Sequence, residues 1–492
     1  MDLVTQILTL LIGFALFAYY LLHRRFTYWE RRNVPHIKPE FIHGNSRGIG
    51  KDFSSGTFFK NMYNKLKGKG PLVGVYVSVM PMAIATDLDL IKTILVKDFD
   101  VFTNRGLYYN KEDDPTSAHL ASVEDEEWKS LRNKITPTFT SGKMKMMFPI
   151  IVDVADRMVK AIAVESNQGE SVEIKDVASR FTTDVIAEVA FGIECHSLED
   201  KHSKLYKMGQ KSFGDVSFWK RTLTGAYPDL ARKLHVTTSN KEVVQFFENV
   251  IQQNIKYRQE NNVQRNDFMS LLIKMMNEST LNYYEALAQS FVFFLAGYET
   301  SASTMTFCIY ELAQHPEIQQ KARESVIKVL EKHDGKFTYE AIADMQFVEQ
   351  CVKEALRIHS PASGTRRIAK RDYKVPNTDI VIEKGMSVII PANGIHFDPD
   401  IYPDPYKYNP DRFAPEEIAK RHNFSFLPFG EGPRVCIGER FAIVEIKLAL
   451  AKVLTNYEFT LDHSKTPVPL EYLVNRLLLT PSTGINIFVN KL

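Results

Sequence analysis

The sequence predicts a mainly helical protein with a small share of β structure, and three stretches carry that prediction. Residues 281–314 form one long helical run that stops at His315-Pro316, and residues 148–257 contain several amphipathic helices in succession. Residues 72–79 and 82–86 instead predict two strands of a hairpin around Met80-Pro81. No Gly/Ser-rich linker, repeat or low-complexity tract divides the 492 residues after the N-terminal region, so we expect one large domain.

The composition is typical of a globular protein with a large core. Hydrophobic residues make up 44% of the chain and charged residues 24%, and a net charge of +2 gives no reason to expect nucleic acid as a partner. The four cysteines lie far apart, without paired spacing. We therefore predict that Cys195, Cys308 and Cys351 are small core residues and that the body of the protein lies in a reducing compartment.

The N-terminal residues predict a membrane anchor. Residues 3–22 are nearly uncharged and long enough to span a bilayer as a helix. Tyr19-Tyr20 and the arginines that follow place the C-terminal side in the cytosol. The alternative, a cleaved secretory signal, lacks its basic first region and its small-residue cleavage site. We expect an anchor at 1–22, a basic and proline-containing linker at 23–40 and the folded body at 41–492.

Two helices contain polar residues that call for an explanation. An acidic first turn opens a helix at 124–132, where Trp128 and Arg132 share a face; alone, this pair predicts a surface cation over an aromatic ring. The long helix carries Ala296-Gly297-Tyr298-Glu299-Thr300-Ser301 among phenylalanines. A charge in this apolar helix is costly unless it is hydrogen-bonded. A charged residue that conflicts in this way with its apolar surroundings indicates a functional site. The alternative is a bend stabilised by Thr300 bonding back to a carbonyl.

The C-terminal third predicts one more helix and several strands. Asp344 is expected to cap a helix over 345–358 that carries Glu354 and Arg357, although Glu-x-x-Arg is a weak pattern by itself. Strands are expected at 380–382 and 386–390, and a closing hairpin at 477–489.

One cysteine occupies a position that favours its ionisation. The glycines and proline of residues 429–433 exclude a helix there, whereas a good helical run follows Cys436. A thiol between such a loop and a helix N-terminus meets free N–H groups and the positive end of the helix dipole. It should therefore form a thiolate, which is a metal ligand or a nucleophile. The alternative is an inert, buried cysteine beside a structural turn.

The same stretch carries a family resemblance. Phe429, Gly432, Arg434, Cys436 and Gly438 match every fixed position of Phe-x-x-Gly-x-Arg-x-Cys-x-Gly, and the chain resembles the cytochrome P450 haem-thiolate monooxygenases. The resemblance covers essentially all of the chain after the anchor. Further blocks, such as Trp29-x-x-Arg32-Asn33-Val34-Pro35, are similar to the insect microsomal family 6 branch.

The resemblance implies the P450 fold, a mainly α protein with a small β-rich lobe, and one b-type haem in a domain at 41–492. It implies Cys436 as the iron ligand and places Phe429, Arg434, Trp128, Arg132 and Ala296 at the cofactor, with Trp128 and Arg132 donating to a haem propionate. Arg366 or Arg367 meets a propionate, and both alternatives stay open. Gly297 then leaves room for dioxygen, Thr300 supplies a hydrogen bond on the dioxygen side, and Glu299 is the carboxylate linked to the proton supply. Glu354, Arg357 and Arg412 are expected to form a buried ion-pair network.

The resemblance also implies a reaction and its partners. One oxygen atom of dioxygen enters a lipophilic substrate, such as a plant toxin or insecticide, with electrons from NADPH through cytochrome P450 reductase; cytochrome b5 is a further candidate partner. The expected location is the endoplasmic reticulum membrane, with a cytosolic catalytic domain. A basic region either docks a redox partner or is a solvated face: Lys129, Lys134, Lys143 and Lys145. The alternatives are a reductase-independent isomerase or dehydratase, a non-catalytic haem carrier or sensor, and oxidation of an endogenous hormone or pheromone.

Overall fold

A computed structural model describes residues 2–166, 169–214, 217–263, 265 and 267–492. Helices dominate these ranges, as the sequence predicts. In chain order they are α1 (Leu3–Phe26), α2 (Ser55–Leu66), α3 (Leu88–Lys92), α4 (Asp125–Ile135), α5 (Ser141–Glu165), α6 (Ile174–Ile186), α7 (Lys204–Ser212), α8 (Phe218–Ala226), α9 (Pro228–Lys233), α10 (Lys241–Glu260), α11 (Phe268–Asn277), α12 (Tyr283–Gln314), α13 (Pro316–Lys332), α14 (Tyr339–Asp344), α15 (Gln346–Ile358), α16 (Ala392–His396), α17 (Pro415–Ile418) and α18 (Glu439–Asn456).

The strands form small sheets. They are β1 (Leu72–Val77), β2 (Met80–Ala85), β3 (Val172–Glu173), β4 (Thr365–Ile368), β5 (Tyr373–Lys374), β6 (Val381–Ile382), β7 (Ser387–Ile390), β8 (Tyr457–Leu461) and β9 (Asn486–Lys491). One sheet has the order β1-β2-β7-β4, in which only β2 and β7 run parallel. A second has the order β3-β9-β8, and β5 pairs with β6.

The chain divides into two compact units. Unit 1 comprises Met1–Gly106, Ser363–Pro403 and His422–Arg434, and it contains the four-stranded sheet. Unit 2 comprises Leu107–Ala362, Asp404–Arg421 and Val435–Leu492, and it contains most of the helices. The chain crosses from unit 1 to unit 2 between Arg434 and Val435, two residues before Cys436.

Helix α1 matches the predicted anchor in length and composition. It runs for 24 residues with no buried side chain, Asp2 caps its N-terminus, and His23, Arg24 and Arg25 lie in its last turn. It is the one helix within the described ranges that is long and apolar enough to cross a membrane. It continues to Phe26, four residues past the predicted end of the span, and the basic residues after Leu22 are part of the helix.

Trp29 fixes the chain after α1 to the sheet of unit 1. Its ring is buried, its indole N–H donates to the Val75 carbonyl at 3.1 Å, and its backbone N–H donates to the Tyr76 hydroxyl at 3.1 Å. A Cβ at Gly74 would lie 2.3 Å from the Trp29 ring, so only glycine allows this close approach. The segment after the anchor is therefore tied to strand β1 of the same unit.

The core of unit 2 is built on α12. A capping box starts this helix: the Asn282 side chain accepts from the Glu285 N–H at 2.9 Å, and the Glu285 carboxylate accepts from the Asn282 N–H at 2.8 Å. The predicted helix over 281–314 is thereby confirmed, with its start two residues later. Cys308 and Cys351 are buried as predicted, whereas Cys195 is half-buried and its thiol donates to Asp184 at 2.9 Å.

Three local predictions were wrong. The β1–β2 hairpin turns at Ser78, which adopts φ 53°, and not at Met80-Pro81. Pro81 lies within β2, outside the residues of this strand that pair with β7. Its missing N–H therefore removes no hydrogen bond between β2 and β7. Asp344 ends α14 and pairs with His333 at 2.8 Å, so α15 starts at Gln346 with Met345 at its N-cap and no side-chain cap. No hairpin closes over 477–489, all of which are described residues; β9 instead pairs with β8 and β3.

Candidate active site

Cys436 stands where the chain leaves its glycine-rich loop and enters α18. The cysteine is exposed and precedes the helix N-cap, Gly438, by two residues. In unit 1, the preceding part of the loop depends on Gly432, which has φ 76° and whose added Cβ would lie 2.1 Å from the Leu95 carbonyl oxygen. Only glycine can occupy that position. Phe429 is half-buried in this part of the loop.

Arg132 connects α4 to the cysteine within unit 2. Its Nη1 donates to the carbonyl oxygen of Val435, the residue before Cys436, at 3.0 Å. Burial lowers the pKa of Arg132, and the negative charge of Cys436 opposes that shift. Trp128 is buried on the same helix, so the pair shares a face as predicted. Arg132 can therefore stabilise both the loop backbone and the thiolate.

A cluster of arginines gathers in unit 1. Arg434 and Arg367 are buried, and Arg105 Nη2 donates to the Arg434 carbonyl at 2.8 Å. Burial, together with the positive charges of Arg105 and Arg434, lowers the pKa of Arg367 to about 9. Arg367 Nε is buried without a hydrogen-bond partner among the described residues. Three cations that repel one another form a site that an anion would stabilise.

Arg366 has a different environment. Its Nε donates to the Arg105 carbonyl at 2.9 Å, and its Nη2 donates to the Gly106 carbonyl. Its guanidinium is thus already engaged with backbone oxygens. Arg367 Nη1 also donates, to the Thr365 hydroxyl at 2.9 Å and to the Arg366 carbonyl at 3.0 Å. Its Nε has no hydrogen-bond partner among the described residues, so this atom could still donate to a carboxylate.

Three successive residues of α12, all in unit 2, have different surroundings. The Glu299 carboxylate is buried, accepts from Lys175 of α6 at 2.8 Å and from Ser303 at 3.2 Å. The Thr300 hydroxyl donates to the Ala296 carbonyl at 2.6 Å, which is the back-bond that the sequence leaves as an alternative to a catalytic role. The Ser301 side chain is buried. The Glu299 and Thr300 side chains of α12 thus both have hydrogen-bond partners.

Gly297 has a packing reason in addition to its predicted role. A Cβ added there would lie 2.8 Å from Ile186 Cδ1 of α6, because α6 and α12 approach each other closely at this position. Its predicted role of leaving room for dioxygen stays a prediction.

We expect Gly297→Ala to lower the unfolding free energy by about 1 kcal/mol, because overpacking against Ile186 outweighs the better helix propensity of alanine. Ile186→Val removes the crowding methyl group, so the double variant should be about as stable as Ile186→Val alone. Thermal unfolding at one scan rate measures this. An unchanged penalty in the Ile186→Val background would show that Ile186 is not the obstacle.

A cavity of about 260 Å³ reaches Glu299 inside unit 2. Its wall is polar and apolar in similar shares. The polar part combines residues of α6, α7 and α12 with the segment after β8: Lys175, Asp176, Tyr206, Glu299, Arg476 and Thr480. The Glu299–Lys175 pair therefore lines a cavity that can hold water.

The predicted ion-pair network is confirmed in unit 2. Glu354 and Arg357 are fully buried, with Arg357 Nε and Nη2 donating to the two carboxylate oxygens at 2.7 and 2.9 Å. Arg412 Nε lies 3.3 Å from Glu354 Oε1, which also accepts from the Asn409 N–H at 3.0 Å. Every oxygen of the buried carboxylate is thus satisfied, as a buried charge requires.

Comparison with known proteins decides the family. The sequence model of the family Cytochrome P450 matches residues 38–488. The chain belongs to the cytochrome P450 family. With that membership it is an oxidoreductase of the P450 monooxygenase class, with the P450 fold. The family implies a haem iron with a thiolate ligand.

Insect P450s cover nearly the full length. A protein named probable cytochrome P450 6a20, from Drosophila melanogaster, is 41% identical over 497 residues, which span 98% of this chain and 99% of that protein. Cytochrome P450 6a8 of the same organism is 41% identical over 487 residues, 96% of each chain. Cytochrome P450 6A1 of Musca domestica is 38% identical over 504 residues, 100% of this chain and 98% of that protein. The predicted resemblance to the insect family 6 branch is confirmed.

Sequence reasoning missed several partners of the P450 site residues. Lys175 lies 124 positions from Glu299, and Arg105 lies 329 positions from Arg434, so no local spacing could connect them. Glu445 is different: it is a lone acid in the apolar run Ile443-Val444-Glu445-Ile446. An acid within an apolar run could have been predicted from the sequence to be buried.

Proposed function

We propose that this P450 is a membrane-anchored haem-thiolate monooxygenase that inserts one oxygen atom of dioxygen into a lipophilic substrate. The observation that carries the proposal is the exposed Cys436 ahead of α18, with Arg132 bonded to the carbonyl of the preceding residue. When bound through the thiolate, the haem iron supplies dioxygen activation. The protein residues position the cofactor, exclude competing ligands and move protons.

Each unit, considered by itself, contains residues suited to binding a b-type haem. In unit 2, Cys436 would ligate the iron, and Trp128, Arg132 and Ala296 would hold the cofactor. In unit 1, Arg434, Arg367 and Phe429 would bind the cofactor. The support in unit 1 is that Arg367 Nε has no hydrogen-bond partner in the described part of the chain and lies among like charges, which a propionate carboxylate would neutralise.

Proton supply through Glu299 and Thr300 is the second part of the proposal. Lys175 holds Glu299 at the edge of the cavity, so water there can exchange protons with the carboxylate. The Thr300 hydroxyl keeps a free lone pair for a second bond after donating to Ala296. Gly297, one turn before Ser301, would leave room for dioxygen.

Thr300→Ala is expected to lower the product formed per NADPH several-fold and to raise hydrogen peroxide release, because the hydroxyl no longer directs protons. Thr300→Ser is the matched control and should keep most of the coupling. Lys175→Met should also uncouple the reaction, because it leaves Glu299 buried without its cation, while Lys175→Arg should not. NADPH, peroxide and product are quantified together; unchanged coupling in Thr300→Ala would remove this residue from proton delivery.

Electrons would come from NADPH through cytochrome P450 reductase, with cytochrome b5 as a further candidate partner. The proposed docking lysines are partly engaged within unit 2: Lys134 donates to the Thr280 carbonyl at 2.7 Å and Lys145 pairs with Glu340 at 2.5 Å. Helix α1 would anchor the protein in the endoplasmic reticulum membrane, and Arg24 and Arg25 favour a cytosolic catalytic domain.

Xenobiotics such as plant toxins or insecticides are the proposed substrates. The test is turnover of a lipophilic compound panel by purified protein in vesicles with reductase and NADPH. We expect oxidised products that require all three components. Turnover of a peroxide without NADPH would instead identify an isomerase or dehydratase, and haem binding without turnover of any compound would identify a carrier or sensor. Exclusive turnover of hormones or pheromones would keep the monooxygenase and replace the xenobiotic role.

A further inference from the structure

We propose that Glu311, His359 and Tyr472 form a buried hydrogen-bond relay that positions a nearby loop and thereby sets the preference among lipophilic substrates. The loop comprises residues 473–480 and forms part of the wall of the cavity that Glu299 lines. The inference deepens the proposed function and rests on it, because it concerns how substrates are selected. All of the residues that carry it lie in unit 2.

His359 joins two distant parts of unit 2 through its two ring nitrogens. It directly follows α15; its Nε2 lies 2.5 Å from Glu311 Oε1 of α12, and its Nδ1 lies 2.8 Å from the Tyr472 hydroxyl. Because a carboxylate only accepts, Nε2 donates to Glu311. In a neutral imidazole Nδ1 then accepts from the Tyr472 hydroxyl, and in a protonated one it donates to the same oxygen. Both nitrogens are therefore bonded in either protonation state.

The surroundings fix the orientation of this imidazole. Glu311 and His359 are buried, and the His359 ring stacks on Phe307 of α12, with ring centroids 4.8 Å apart and an interplanar angle of 16°. Burial raises the pKa of Tyr472 above its usual range, so this hydroxyl keeps its proton. A ring that is stacked on one face and bonded at both nitrogens cannot tilt without losing a hydrogen bond in a buried site.

Tyr472 lies at the base of the loop. The Leu473 N–H donates to the Thr480 carbonyl at 2.9 Å, and this bond closes the loop. Near the other end, the Leu479 N–H donates to the Pro361 carbonyl at 2.9 Å. Both ends of the loop are therefore attached to the short segment that follows α15, one through the Tyr472 hydroxyl and the other through the backbone.

The loop forms one side of the cavity. It contributes Leu473, Arg476 and Thr480 to the cavity wall. Its tip has a separate attachment, because Arg476 Nη1 donates to the Phe213 carbonyl. Loss of the relay would therefore loosen the base of the loop while the tip stays attached. The wall would shift relative to Glu299 without general unfolding, and the cavity would change in shape and favour different substrates.

The test is Tyr472→Phe, which removes the hydroxyl, keeps the ring and so breaks the relay with the least change in packing. In the holoenzyme, the backbone amides of Leu473 and Leu479 should exchange with deuterium about three- to tenfold faster than in wild type, the range expected for one lost buried hydrogen bond. When two compounds of the lipophilic panel compete, the ratio of their products should change about twofold or more, because this ratio reports relative kcat/KM. Mass spectrometry measures both the exchange and the products.

Tyr457→Phe is the matched control, because the Tyr457 hydroxyl donates to the Val159 carbonyl at 2.9 Å and neither residue belongs to the loop. This variant should leave the loop exchange and the product ratio unchanged. Glu311→Gln keeps an oxygen that can accept from His359 and should resemble wild type, whereas Glu311→Ala should resemble Tyr472→Phe.

Each outcome decides one part of the proposal. Unchanged loop exchange in Tyr472→Phe, or an equal increase in Tyr457→Phe, would overturn the relay. Faster exchange with an unchanged product ratio would overturn its role in substrate preference. The exchange measurement needs no turnover, so a wild-type protein that oxidises no compound would overturn the proposed function, while the exchange would still support or overturn the relay.

Discussion

Cys436→Ala is expected to abolish NADPH-dependent oxidation and to deprive the purified protein of stable haem, because the variant retains no anionic ligand at the start of α18. The fold should persist, since Cys436 is exposed and the buried network around Glu354 does not involve it. Haem content by pyridine haemochrome, turnover and far-ultraviolet circular dichroism together measure the outcome.

The matched control is Cys195→Ser. Cys195 is half-buried in unit 2, and serine can still donate to Asp184 in place of the thiol. This variant should keep haem and turnover near wild-type levels. Equal loss in both variants would mean that general destabilisation, rather than ligation, explains the effect of Cys436→Ala.

Arg357→Ala is expected to cost about 3–5 kcal/mol of unfolding free energy, because it leaves the fully buried Glu354 carboxylate without its bidentate partner. Arg412→Ala should cost less, about 1–2 kcal/mol, since Arg412 is more exposed and contributes a single 3.3 Å ion pair. Both variants keep Cys436, so any haem loss reflects folding and not ligation.

Thermal unfolding at a fixed scan rate, together with expression yield of holoprotein, measures this difference, since a chain of this size can unfold irreversibly. The double replacement Glu354→Leu with Arg357→Met should recover part of the loss, because an apolar pair needs no charge compensation. Equal destabilisation by Arg357→Ala and Arg412→Ala would contradict the dominant role assigned to the bidentate pair.

Much of the site could be predicted because its chemistry needs particular residues close together in sequence. Cys436 with Gly432 and Gly438 forms such a set, and Glu354 with Arg357 forms another. The polar segment of α12 was also recognisable, because Glu299 among phenylalanines conflicts with a simple core helix. In each case the informative signal lay within about one helical turn or one loop.

The rest depends on contacts between distant parts of the chain. The sequence gives no sign that Lys175 meets Glu299 or that Arg367 lies near Arg434, since only folding brings them together. The hairpin turn was misplaced because Met80-Pro81 is a stronger turn signal than Ser78, although the positive φ is at Ser78. The closing strand was misassigned because β9 pairs with a strand that directly follows α18.

The most direct test of the central claim is the absorption spectrum of the reduced wild-type protein with carbon monoxide bound. Thiolate ligation by Cys436 predicts a strongly red-shifted Soret band, present at a stoichiometry of one haem per chain. A Soret band typical of imidazole ligation in fresh, active protein, or purified protein without haem, would contradict the assignment of Cys436 and the roles proposed for the residues around it.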